Sequence, residues 1–395
     1  MGKAPKECAI ITVMDLPVRI SRDRVIVYGA ALFLIGLWQL VRITGHDPSL
    51  ADWSFFWTGG ATVGTHALLD PRLHFAFETA HGFQKGIWSY LPGFAWLFVP
   101  ASHLSLIGSY VANVVAMLAA AAVAGAILAD VFSMPRWFGV VMALAWPPVK
   151  VAVIGGQNTP LALALIALAI LAARRRSALL LGIAIGVLLY KPSIAAPFVI
   201  VLLARREWRA LSVVMACATY WYLLSVTAAS GDWAWPKLYT DAIRAYYTPD
   251  FLSNAANAVS LPGLLVRFGA SSIVAIGTGG LLLFLCLPRL TKLGTVEALS
   301  VTSVLAVAVS PHAWHYEPVI ILPAIFYGMK TMSASLATWL IIATYVLADA
   351  SIFDIPWLPW NVLILVVLFW TGLVLLKGRP TEYKCLKKAV NKGQA

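Results

Sequence analysis

"QNTPLALALIALAILAARRRSALLLGIAIGVLLYKPSIAAPFVIVLLARR", residues 157–206, sets apolar runs between clusters of arginine. A bilayer-crossing helix needs about 20 mostly apolar residues, and the run 157–173 comes close to that before it meets Arg174, Arg175 and Arg176. The next run, 177–204, starts beside that triplet, ends at Arg205 and Arg206, and is interrupted at "YKPS", 190–193. Arginines flank the cytoplasmic ends of membrane spans, so a segment with arginines at both ends returns to the side it left. It reads as a hairpin of two half-length helices with Lys191 near the outer side. Broken helices of this kind are tolerated where they line a protected or wet cavity, and they often mark a binding site.

The rest of the chain extends this pattern. Of its 395 residues 61% are hydrophobic and 12% charged, with mean hydropathy +0.83, whereas charged residues make up roughly a quarter of a soluble domain. Apolar runs of near-spanning length recur, roughly 11 to 13 of them by the length rule. The expected fold is therefore all-α, a polytopic integral membrane protein forming one domain over 1–395. The net charge of +12 does not point to nucleic acid. The cations stand in short clusters between apolar runs rather than in a stripe interleaved with aromatics. These clusters are Lys3 to Arg24, 174–176, 205–209, Arg289 with Lys292, Lys330, and the basic tail 377–395. All are assigned to the cytoplasm. The N-terminus, with Asp15 and Asp23, lacks the features of a removed signal peptide, so the first span, about Val25 to Val41, is expected to stay. Cys8, Cys217, Cys286 and Cys385 are scattered without a CxxC, which indicates neither a zinc site nor a disulfide framework.

An inside N-terminus delivers residues 44–86 to the outer face. The loop carries Trp53, Phe55, Phe56, Trp57, Phe75, Phe77 and Phe83, as expected of short amphipathic helices lying in the interface. Four runs follow before Arg174, and four full crossings would leave that triplet outside. The run 88–105 is short and opens with Pro92 and Gly93, so it is the one expected not to cross. "GGQNTP", 155–160, then faces outward, as do the second outer loop, 230–256, and "SPHAWHYEP", 310–318. Asp52, Gln157, Lys191, His312 and His315 converge on one face. Neither a repeat of fixed period nor a matched pair of broken segments is present, which weakens a transporter or flippase reading.

Each of these residues has a chemical and a structural reading. Asp52 suits a general base at the edge of a lipid-facing cavity, and equally a helix N-cap. Lys191 in an apolar hairpin is a functional candidate, since a phosphate would offset its burial, or a lysine snorkelling to the interface. His312 and His315, three residues apart, suit a phosphate clamp or two metal ligands; with no third ligand in range, no metal is expected. They also suit interfacial histidines beside Trp314 and Tyr316. Glu317 is an additional acid there. Gln157, Asn158, Asn254, Asn257 and Ser260 suit sugar hydroxyls or helix caps.

The order of these pieces resembles glycosyltransferase family 87 of the GT-C superfamily, the polyprenyl-phosphate-sugar-dependent transferases. The matching stretches are "ADWSFFWTGGATVG" with "LLDP", "WSYLPGFAWLFVP", "GGQNTPLALALIALAI", "LGIAIGVLLYKPSIAAPFVIVLLARREWR", "NAANAVSLPGLLVRF" and "SPHAWHYEPVIILP", spread over roughly 50–325. The resemblance implies a GT-C fold with its active site on the outer face of a bacterial inner membrane. It also implies a sugar, expected to be mannose, passing from a polyprenyl phosphate to a lipid-linked or envelope glycan with inversion. Asp52 falls on the catalytic base, and His312 or His315 on a histidine at the donor phosphate. Lys191 and Arg267 are further phosphate candidates, and Trp53, Tyr90, Gln157, Asn158, Asn257 and Ser260 are sugar or acceptor candidates. Neither a cofactor nor a metal is expected. Asp52 is followed by Trp53, and Phe56 by Trp57, where the family often has Asp-Phe and a later Tyr, which bears on sugar or acceptor preference.

Overall fold

The computed structural model describes residues 30, 34, 52–83, 86–254 (the backbone alone from 245), 258–311, 313–331, 344 and 345. Apart from residues 30, 34, 344 and 345, the first span, the apolar runs 332–348 and 357–376 that also read as spans, the basic tail, His312 and Asn257 lie outside the described residues. Within them every regular element is a helix.

The outer segment forms α1 (Trp53–Thr62) and α2 (Pro71–Ala80). Asp70 starts α2, accepting from the backbone N–H groups of Arg72 and Leu73. The run expected not to cross is a 3-10 helix, Pro92–Phe98, followed by the single turn Val99–Ser102. Its rings close against α1: Phe98 lies 4.9 Å from Phe56 and 5.9 Å from Trp53, and Phe56 lies 5.2 Å from Tyr90.

The long helix α3 (Leu106–Phe132) follows, then α4 (Arg136–Leu144) and α5 (Pro147–Ile154), bent by 57°. Pro147 and Pro148 explain the break, since their rings exclude a continuing helix. α3 and α4 pack backbone to backbone. A Cβ on Gly125 would stand 2.2 Å from the Gly139 carbonyl oxygen, the small-residue contact that brings membrane helices together. The fold-deciding stretch gives α6 (Thr159–Arg174) and the broken hairpin α7 (Ala178–Leu188) and α8 (Pro192–Ala204), with Lys191 at the break.

Next come α9 (Trp208–Ala228) and α10 (Trp235–Asn254). The second outer stretch, expected as a loop over 230–256, is thus mostly helix. Asp232 accepts from the Ala234 N–H just ahead of it, and Pro236 occupies a first-turn position. α10 folds onto the first outer segment, Tyr239 donating to the Ser89 carbonyl at 2.8 Å. Then come α11 (Leu261–Arg267), α12 (Ser272–Leu290), α13 (Thr295–Val309), a 3-10 turn Glu317–Ile321, and α14 (Leu322–Thr331).

α3, α9 and α12 are long and apolar enough to cross a membrane, and the bent pair α4–α5 qualifies as a fourth; α6, α7, α8 and α13 are shorter apolar helices. The arginine clusters share one end of the bundle. Arg174 donates to the carbonyls of Asp130 and Val131, and Arg136 pairs with Asp130 at 2.8 Å. Arg205 donates to the carbonyls of Leu290 (2.8 Å) and Leu293 (2.7 Å). α6 has 16 residues and is therefore about 24 Å long. That length separates its Arg174 end from Thr159, where the polar groups collect.

Candidate active site

The site is built on the turn between α5 and α6. Gly156 has φ +71, and a Cβ there would stand 2.5 Å from Trp53 Cβ and 2.9 Å from its backbone nitrogen. Only glycine lets this turn lie against the start of α1. Two side chains of α3 hold the turn, Tyr110 donating to the Ile154 carbonyl (2.9 Å) and Asn113 to the Gly156 carbonyl (3.4 Å). Gln157, buried, is thereby placed between two partners. Its Nε2 donates to Asp52 Oδ2, and its Oε1 accepts from the Tyr90 hydroxyl at 3.1 Å. Asp52 occupies the N-cap position of α1 yet makes no capping hydrogen bond with its side chain, and it is half-buried.

Beside this turn stands the apex of the α7–α8 hairpin, joined to it residue for residue. The Tyr190 hydroxyl lies 3.3 Å from both the carbonyl and Oδ1 of Asn158, and Lys191 Nζ lies 3.2 Å from Thr159 Oγ1. The ammonium pairs with Glu317 Oε1 at 2.7 Å, with the rings of Tyr316 and Tyr90 at 5.6 and 5.8 Å from it. Lys191 and Glu317 are 7% and 3% exposed. Lys191 is therefore not a snorkelling lysine; a carboxylate offsets its burial. The N-termini of α6 and α8 also end here, and helix N-termini favour an anion.

The other expected residues divide. Trp53 is buried and its indole N–H donates to Ser109 Oγ at 3.0 Å, so it anchors α1 to α3. Ser260 is fully buried and caps α11 by accepting from the Gly263 N–H. Arg267, half-buried, ends that helix, whose main neighbours are α12 and α13. His315 lies beside Tyr316, ring centroids 5.5 Å apart. Burial pushes its pKa down to about 4, so near pH 7 it is neutral and offers hydrogen bonds rather than charge. The short antiparallel bridge between Ala258 and Trp314 ties this turn to the stretch before α11.

In the sequence Tyr316 appeared only as a neighbour of the histidines and Glu317 only as an extra acid, and Thr159 was not singled out. Nor was Lys150, 4% exposed on α5. A lone cation in "WPPVKVAVI" was the available signal, because charge at membrane depth is rare unless it has a role.

The arrangement brings a half-exposed carboxylate, a buried amide, an ion pair and two helix N-termini to one end of an apolar helical bundle. It defines an integral membrane protein with a polar site suited to hydroxyl and anionic groups. A model of glycosyltransferase family 87 matches residues 88–311, more than half of the chain, and the chain belongs to that family. It is a membrane glycosyltransferase. The matched residues contain Tyr90, Gln157, Asn158 and Lys191, whereas Asp52 precedes them and Glu317 follows. No curated protein and no solved structure matches the chain.

Proposed function

We propose that the protein transfers a sugar, mannose in the first instance, from a polyprenyl-phosphate donor to a lipid-linked or envelope glycan. On this reading it has the GT-C architecture and works on the outer face of a bacterial inner membrane. The observation that carries it is the setting of Asp52. Its carboxylate makes no cap to its own helix, receives Gln157 and is half-buried, at the end of the bundle away from the arginine clusters. A base so placed takes the proton from an acceptor hydroxyl as the oxygen attacks the anomeric carbon. The bond from that carbon to the phosphate oxygen breaks, its electron pair leaves with the lipid phosphate, and the centre inverts.

The leaving phosphate keeps its own charge, so the protein needs to hold it rather than protonate it. The N-termini of α6 and α8 supply fixed positive dipole ends for that purpose. Lys191 stands at the same place, but engages the phosphate only by giving up part of its contact with Glu317. His315 reaches the phosphate as a neutral hydrogen-bond donor.

The experiment is transfer from labelled polyprenyl-phosphate sugars, mannose first, to a membrane lipid extract by wild type and Asp52→Asn side by side. A general base contributes on the order of 10² to 10⁴ in rate. Asp52→Asn is expected to lose at least 100-fold in kcat while still binding donor. Near-normal transfer by that variant would remove Asp52 from the mechanism.

A further inference from the structure

Among the described residues, Asn158 Nδ2 and Glu317 Oε2 are buried atoms without a hydrogen-bond partner, on residues 3% exposed in each case. Each leaves its other polar atom engaged, Asn158 Oδ1 with the Tyr190 hydroxyl and Glu317 Oε1 with Lys191. They belong to one cluster. Adjacent residues Asn158 and Thr159 bind adjacent residues Tyr190 and Lys191, and Lys191 carries Glu317. A buried polar group left unmatched is costly, by more for a carboxylate than for an amide. One atom is a donor and the other an acceptor, which is the complement of a sugar hydroxyl, able to give one hydrogen bond and accept another.

We infer that Glu317, held by Lys191 on one carboxylate oxygen, selects the transferred sugar by accepting from one of its hydroxyls with the other, while Asn158 donates to the same or the adjoining hydroxyl. The inference rests on the glycosyltransferase reading of the site and goes beyond it in naming which residue discriminates among hexoses. It gives the ion pair a purpose: Lys191 fixes the carboxylate so that a single oxygen faces the ligand. Tyr90 links this subsite to Asp52. Its ring faces the ammonium and its hydroxyl binds Gln157, which binds Asp52. The Tyr316 ring covers the ammonium on a second side.

The test is titration of the purified full-length protein, in detergent, with methyl hexopyranosides and their 2-, 3-, 4- and 6-deoxy analogues, read by tryptophan fluorescence. Transfer from the corresponding polyprenyl-phosphate sugars is measured in parallel. A site built to hydrogen-bond a hydroxyl rejects the analogue lacking it. Wild type is expected to bind one hexoside on the order of 10- to 100-fold better than one of its deoxy analogues. Glu317→Gln is expected to reduce that ratio to within about 3-fold, leaving preference at the other positions in place. Asn158→Ser leaves the ion pair intact and is expected to erode the ratio at the same or the adjoining position, which covers the case of a poorly folded Glu317 variant. Deoxy ratios unchanged in both variants, as buried water at these atoms would give, overturn the inference. So does equal loss for every analogue, or no binding of any hexoside by wild type. Selective binding without transfer from any polyprenyl donor would instead reject the donor proposed above and leave the subsite standing.

Discussion

Lys191 and Glu317 show how far one contact can redirect the meaning of a residue. A lone lysine in an apolar hairpin calls for a counter-charge, and the nearest anion is a carboxylate 126 positions further along the chain, at 2.7 Å. Removing one member of a buried pair strands the other and typically destabilises by about 3–5 kcal/mol, whereas replacing both with apolar groups is often close to neutral. Lys191→Met and Glu317→Gln are each expected to lower thermal stability in detergent clearly, and the Lys191→Met, Glu317→Met double variant by much less than their sum. Additive losses would show that the pair is not the stabilising unit. His315 provides a second test at this scale, through pH. Its folded pKa, about 4, lies below an unperturbed value of about 6.5. The unfolded chain therefore binds a proton first as pH falls, and stability is lost progressively between about pH 6.5 and 4, by up to about 3 kcal/mol. Above that window the histidine is neutral in both states and contributes no slope. Unfolding midpoints across pH 4–8 are expected to fall less steeply in His315→Gln than in wild type over that interval alone.

At the scale of elements, the turn from α5 to α6 decides whether there is a site. Gly156 combines a left-handed backbone with contact against Trp53. Gly156→Ala is expected to strain the turn by roughly 1–2 kcal/mol from the backbone alone, with the clash in addition, and to move Gln157 off Asp52. A loss of transfer of 10-fold or more with the protein still folded is the expected outcome, assayed as for Asp52→Asn. Normal transfer would mean that Gln157 does not need this placement. Charge and hydropathy made much of the helical order legible. The hairpin broken at 190–193 and the failure of 88–105 to form a span both follow from where arginines, prolines and apolar runs stand. The bend at Pro147 and Pro148 was legible in principle, since a proline pair interrupts the helical hydrogen-bond ladder. α10 was not, because its aromatic and polar residues alternate without a clean apolar stripe and its helix is held by docking on Ser89. At the site, the convergence of Asp52, Gln157 and Lys191 on one face was readable from topology. The partners were not. That Gln157 meets Asp52, or that Glu317 neutralises Lys191, depends on contacts between distant segments that no local pattern encodes.

For the molecule as a whole, the question is which side of the membrane the site faces, and the arginines turn the proposed outer-face site into a form that can be tested. Arg136 and Arg174 tie the loops at 132–136 and 174–177 to the end of α3, and Arg205 ties 204–208 to 290–295; cationic loops stay in the cytoplasm. α6 runs from that end to the Asn158–Thr159 turn, so the site and the segment carrying α1 and α2 lie at the opposite end of the bundle, which the proposed function places outside. Ser133 and Arg72 are both exposed, one at each end. In a background with Cys8, Cys217, Cys286 and Cys385 replaced by serine, Arg72→Cys is expected to react with a membrane-impermeant maleimide in intact cells stripped of their outer layers. Ser133→Cys is expected to react only after the membrane is opened. The reverse pattern would place the site in the cytoplasm, where nucleotide sugars are available, and would remove the reason for a lipid-phosphate donor. The expected pattern would leave the protein facing a compartment without nucleotide sugars. A donor carried across the membrane on its own lipid then becomes the chemical requirement that Asp52 and the two helix N-termini are placed to meet.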